Sequence, residues 1–75
     1  MRDLLEYIVT SLVDHPDQVR VGEIEGVHSV VFELRVAPED MGKVIGKEGR
    51  IANATRTLLR VAGSKEGKRA MLEII

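Results

Sequence analysis

Val44-Ile45-Gly46-Lys47-Glu48-Gly49-Arg50-Ile51 joins two apolar-periodic segments through four residues bounded at each end by glycine. Upstream, Pro38 with Glu39 and Asp40 suits a helix start, since proline fits the first helical position and acids favour the first turn. Met41, Val44 and Ile45 give that short helix an apolar side, and Gly46 ends it. Downstream, a second helix begins at Gly49 or Arg50. Ile51, Ala54, Leu58 and Ala62 predict its buried face, with Leu59 and Val61 at the margins. Gly63 stands where a C-terminal cap is expected.

Working outward, Leu4, Leu5, Ile8, Val9, Leu12 and Val13 form one stripe of an opening helix. Asp3 is its expected N-cap, and Pro16 stops it after Asp14-His15. Residues 18–25 predict a strand in which Gly22 marks a bulge, because Ile24 falls out of phase with Val19 and Val21. Gly26-Val27-His28 then turns the chain into a second strand. There Val30, Phe32, Leu34 and Val36 share one face, which predicts an antiparallel hairpin. Residues 68–75 predict a last strand, with Ala70, Leu72 and Ile74 alternating. The order is α-β-β-α-α-β. Three strands with one apolar face each need a cover, so the expected fold is α+β, a two-layer sandwich. Its three-stranded sheet is covered on one face by three helices.

Composition narrows the function. Seventy-five residues suit one domain spanning 1–75, small enough to gain from a partner. With no cysteine, disulfides, thiolate metal sites and thiol nucleophiles are excluded. Apolar runs are too short for a membrane span, and Met1-Arg2-Asp3 is unlike a signal peptide, so no membrane role and a cytoplasmic location are expected. The net charge of −1 hides an asymmetry. Residues 1–37 carry three basic and seven acidic groups, whereas residues 43–60 carry five basic groups (Lys43, Lys47, Arg50, Arg56, Arg60) against Glu48 alone. A polyanion close to that second region would feel a positive field, within the ~10 Å reach that salt allows.

The loop supplies a chemistry for such a guest. Glycine permits positive φ and lets another backbone approach closely. The first amide groups of a helix lack internal partners and carry partial positive charge, which suits an anion. Lys47 and Arg50 add mobile positive charge, with Lys43 nearby, and Val44, Ile45 and Ile51 offer an apolar floor for bases. A bare Gly-x-x-Gly is a weak motif that also serves as a packing joint between helices; the basic charge and the surrounding frame of strands and helices give it meaning.

In that frame the stretch resembles the signature of KH domains, whose GXXG loop clamps about four nucleotides of single-stranded RNA. The element order resembles the type II, or bacterial, arrangement over essentially the whole chain. Length, opening helix and the ending Met71-Leu72-Glu73-Ile74-Ile75 are most similar to small stand-alone bacterial KH proteins of the KhpA type. Gly46, Lys47, Glu48 and Gly49 match the loop, Ile45 and Ile51 the apolar flanks, and Arg50 the basic residue that often follows. The resemblance implies RNA chaperone or post-transcriptional activity and a homodimer or a heterodimer with a larger KH-containing protein of the KhpB (Jag) type. It also implies a link to cell-wall and cell-shape control. Glu48 departs from what a phosphate favours, an acid that Lys47 offsets.

Other chemistries find no support. His15 and His28 are the only imidazoles, too few for a metal site, and no cofactor motif occurs. Asp14, His15 and Ser29 share the residue types of a catalytic triad without a nucleophile motif. Gly42, Gly46 and Gly49 follow a helix, unlike a dinucleotide loop. No enzyme is expected. The rival reading is a KH-fold protein-interaction or dimerisation module with little RNA contact, which the acidic first half and Glu48 favour.

Overall fold

The computed structural model describes residues 1–75, and the predicted order of elements is present. Helix α1 (Arg2–Leu12) precedes strands β1 (Arg20–Glu25) and β2 (Ser29–Arg35). Helices α2 (Met41–Ile45) and α3 (Arg50–Lys65) follow, and β3 (Arg69–Ile74) ends the chain. Single 3-10 turns occupy Pro16–Gln18, Pro38–Asp40 and Lys47–Gly49.

The sheet runs β1-β2-β3, antiparallel between β1 and β2 and parallel between β2 and β3. A parallel pair needs a long crossover, and α2 with α3 provides it. One face of the sheet carries Val30, Phe32, Leu34, Ala70 and Leu72, all buried beneath the helices. Leu5, Val9 and Val13 from the first helical segment, Val44 from α2 and Leu59 from α3 complete the core. The other face stays open, with Arg69, Met71 and Glu73 exposed on β3. This is the α+β arrangement with helices on one side.

Several local expectations are corrected. Met1, not Asp3, occupies the N-cap of α1, so Asp3 lies in the first turn, where the helix dipole still favours it. The helix stops at Leu12, before Asp14-His15. The backbone N–H groups of Asp14 and His15 donate to the Asp40 carboxylate at 3.1 and 3.0 Å, which takes them away from helical acceptors. Gly22 makes no bulge: it sits opposite Glu33 in an unbroken ladder from Arg20 to Glu25. Ile24 is simply exposed.

The largest correction concerns α3. Its buried residues are Ala52, Thr55, Leu59 and Gly63, while Ala54 and Leu58 face outward and Ile51 and Ala62 are half-buried. The face is turned because the contact with the sheet is close. A Cβ on Gly63 would stand 2.7 Å from the Lys68 carbonyl oxygen and 3.1 Å from the Ala70 Cβ. Small residues are needed there, and Thr55 meets its own polar requirement by donating to the Ile51 carbonyl at 2.9 Å. Gly63 is therefore a packing residue inside the helix, which continues to Lys65.

Candidate nucleic-acid interface

The loop lies exposed between α2 and α3. Gly46 (φ 76°), Glu48 (φ 59°) and Gly49 (φ 75°) all take positive φ. At Gly46 the requirement is also steric, since a Cβ there would meet Ile51 Cγ1 at 2.7 Å. Glu48 is the one non-glycine residue of the chain in this region, a conformation that most L side chains resist. Lys47 and Glu48 face solvent, and Gly46 and Gly49 are half-buried.

The amide groups are less free than a bare helix start implies. The Gly46 N–H donates to the Gly42 carbonyl at 2.9 Å and the Gly49 N–H to the Gly46 carbonyl at 3.1 Å. The Arg50 N–H bonds the Lys47 carbonyl. These bonds hold the turn in shape, so positive charge at the loop comes chiefly from side chains. Lys47 has no ion-pair partner. Arg50 lies 3.4 Å from Glu48, with both side chains about two-thirds exposed or more (76% and 67%), an arrangement that solvent weakens and a phosphate can displace.

Lys43 points elsewhere. Its Nζ sits 2.7 Å from an Asp14 oxygen and 3.7 Å from Asp40. The hydrogen bond to Asp14 is the main reason its proton is held above the ordinary lysine range. Asp40, fully buried, accepts from the Asp14 and His15 amides and lies 3.1 Å from His15 Nδ1. Burial pushes the Asp40 carboxyl up, yet the hydrogen bonds from Asp14 and His15 prevail and hold it below the ordinary value of 3.8. This cluster fixes the start of α2 against the end of α1, and so anchors one side of the loop.

The apolar neighbours divide. Ile45 is 36% exposed and Ile51 half-buried, so both can meet a base. Val44 is 3% exposed and belongs to the core, where it supports the loop from beneath; it does not form an open floor.

Sequence reasoning counted Arg56 and Arg60 in the basic stretch 43–60 but missed Arg69, which the fold brings beside them. Arg56 and Arg60 on α3 line one cleft of about 360 Å³ together with Arg69 and the β3 edge. The short turn from α3 into β3 carries the signal, because it folds Arg69 back beside the helix that precedes it. The largest cleft, about 570 Å³ between α1 and β1, includes no residue of the loop or of α3, and its Arg2 is paired with Glu6 and Glu23.

Known proteins resemble this chain along almost its whole length. The family described as KhpA/KhpB, KH domain matches residues 2–74. A protein of Clostridium acetobutylicum named RNA-binding protein KhpA is 60% identical over the full length of both chains. One of the same name from Caldanaerobacter subterraneus subsp. tengcongensis is 59% identical, again over the full length of both. Another from Aquifex aeolicus is 56% identical over all of this chain and 95% of the relative. No solved structure matches the chain. A match across nearly every residue, to relatives of the same or nearly the same length, leaves one assignment: the chain belongs to the KhpA/KhpB family of KH domains.

Proposed function

We propose that residues 1–75 act as one KH unit that binds single-stranded RNA, gripping its sugar-phosphate backbone at Gly46-Lys47-Glu48-Gly49. The observation that carries this is the exposed loop itself: Gly46 and Gly49 at positive φ, with an unpaired Lys47 between them. Lys47 and Arg50 contact phosphates, and Ile45 and Ile51 contact bases. Val44 supports the turn from the core, and Lys43 supports it through Asp14 and Asp40. A loop of this kind spans about four nucleotides, so a single copy binds weakly. A dimer, of two identical chains or with a larger KH-containing protein of the KhpB (Jag) type, gains through effective concentration. The relatives carry the name RNA-binding protein, which supports RNA as the ligand. RNA chaperone or post-transcriptional activity in the cytoplasm, and a role in cell-wall and cell-shape control, complete the reading.

The test is a double substitution, Lys47→Asp with Glu48→Asp. Aspartate tolerates the left-handed conformation of position 48, so folding survives. RNA crosslinking is expected to be abolished while the circular dichroism spectrum and self-association stay unchanged. Full retention of RNA by the double variant overturns the loop as the clamp.

A second reading, a protein-interaction module, is favoured by one observation: Leu58 and Val61 on α3 are 50% and 52% exposed, an apolar strip beside no neighbour. Under that reading Leu58→Asp abolishes self-association and leaves the little RNA binding that exists unaffected.

A further inference from the structure

Arg20 on β1 and Arg35 on β2 are direct partners in the antiparallel ladder. Residues so placed hold their Cβ atoms about 5 Å apart on one face of the sheet, and like charges there destabilise the pair. Both side chains are exposed, and neither forms an ion pair. Arg2, the other arginine of the acidic first half, is paired with Glu6 and Glu23.

An acid on the same face does not neutralise them. Glu33 stands two residues before Arg35 and diagonal to Arg20, yet it bridges to neither. Its carboxylate lies over Gly22 instead, where an added Cβ would meet Oε1 at 3.6 Å. On the other side Glu33 is level with Glu73 of β3, so it has no positive partner there either. The result is two unpaired cations beside an unpaired, half-buried acid.

These three side chains line the largest cleft of the molecule, about 570 Å³. That volume falls within the ~300–1,000 Å³ typical of small-ligand sites. One Arg20 guanidinium nitrogen donates to the Asp17 and Val19 carbonyls, each at 2.9 Å, which fixes the group and leaves its other N–H donors free. Arg35 is held by no such bond and is free to close on a guest. Pro16, Val19 and Ile75 add apolar surface. Planar guanidinium forks match phosphate oxygens, whereas a carboxylate takes hydrogen bonds from hydroxyl groups. The cleft shares no residue with the loop or with α3.

We infer that this cleft binds a small monophosphate carrying hydroxyl groups, the chemistry shared by sugar phosphates and nucleoside monophosphates. Arg20 and Arg35 hold the phosphate, whose charge removes their mutual repulsion. Glu33 accepts from the sugar hydroxyls, and the surface of Pro16 and Val19 lies against the rest of the ligand.

The experiment is an amide NMR titration of the full chain with inorganic phosphate, ribose 5-phosphate and adenosine monophosphate. Saturable shifts are expected at residues 19–22 and 33–35. Ribose 5-phosphate should bind about tenfold more tightly than inorganic phosphate, as one sugar hydrogen bond to a charged group implies. Tighter binding of adenosine monophosphate assigns nucleotides as the occupant, and equal binding assigns sugar phosphates. Arg20→Gln with Arg35→Gln should lose all three probes while its melting temperature does not fall, because the opposed charges are gone. Glu33→Ala should lose the preference for the sugar and still bind inorganic phosphate. The loop variant Lys47→Asp with Glu48→Asp should bind ribose 5-phosphate as the unsubstituted chain does. Equal affinity for inorganic phosphate and ribose 5-phosphate reduces the cleft to a patch for any anion and overturns the inference. Shifts confined to residues 46–51 overturn it too, as does retention of the probes by a folded arginine variant. Loss of RNA binding in that variant would assign the arginines to RNA, and loss of self-association would assign them to a contact between copies; either result overturns the small-ligand site.

Discussion

Asp40 has no exposure to solvent, and yet it is charged. Two backbone amides and an imidazole from a segment 25 and 26 residues earlier meet its carboxylate, so a single side chain ties the end of α1 to the start of α2. His15 responds to the same contact. Its hydrogen bond with Asp40 is the main cause that raises its pKa above 6.5, with the charges of Asp40, Glu39 and Asp14 adding to it against the burial that opposes. A group raised on folding stabilises fully below its unfolded value and loses that contribution as pH rises through the folded value. Asp40 is lowered, so its contribution holds above 3.8 and fades as pH falls through its folded value. The melting temperature is therefore expected to decline as pH rises above 6.5, and His15→Gln should flatten that decline. Thermal melts from about pH 5 to about pH 9 check it. An equal decline in the variant would show that other groups carry the dependence. In the sequence, Asp40 reads only as an acid suited to a helix start; its partners are distant in sequence, and local periodicity carries no record of them. The loop is different. Gly46 and Gly49 were legible because the need for positive φ is local to each of them.

Among the elements, α3 shows why a stripe of large apolar residues misleads. Its sequence offers two apolar faces one residue apart, and size alone favours the one with Leu58. The fold buries the other, since the sheet approaches too closely at Gly63 for anything larger. Three substitutions separate the faces. Leu59→Ala, at a side chain with no exposure, should cost about 2–5 kcal/mol. Leu58→Ala should change stability by less than about 0.5 kcal/mol, as expected of a half-exposed site away from the core. Gly63→Ala should cost about 1–3 kcal/mol through overpacking, although alanine favours a helix more than glycine does. Denaturant melts read all three, and a larger loss at Leu58 than at Leu59 would reverse the assignment of faces. The strands were easier to read. Alternation in Val30, Phe32 and Leu34 fixes which side is buried, and the ladder keeps that register without the bulge that Gly22 suggested.

At the scale of the molecule, charge decides more than its sum suggests. Acids outnumber bases in the first half, but several of them are occupied with cations of the same chain, as Glu25 is with Lys68 and Asp14 with Lys43. On the loop, α3 and β3 the charges without an ion pair are mostly positive: Lys47, Arg56, Arg60, Lys65 and Arg69, against Glu73 alone. Affinity for single-stranded RNA is expected to fall with rising salt, with a log-log slope near −0.7 for each phosphate contact. A flat response in an anisotropy titration would favour the protein-module reading. The excess of basic residues between 43 and 60 was visible in the sequence. That Lys43 is withdrawn from it, and that Arg69 joins it, depends on which segments the topology brings together.

The contact between Gly46 and Ile51 has a thermodynamic consequence. With the Gly46 Cα seated against a branched side chain and the turn closed by its own hydrogen bonds, the loop has its shape before any ligand arrives. Association then has little main-chain freedom left to freeze, and the ordering penalty, about 0.5–1.5 kcal/mol per immobilised side chain, falls mainly on Lys47 and Arg50. A site of this kind discriminates by shape, and with little left to freeze it keeps more of its contact energy as affinity.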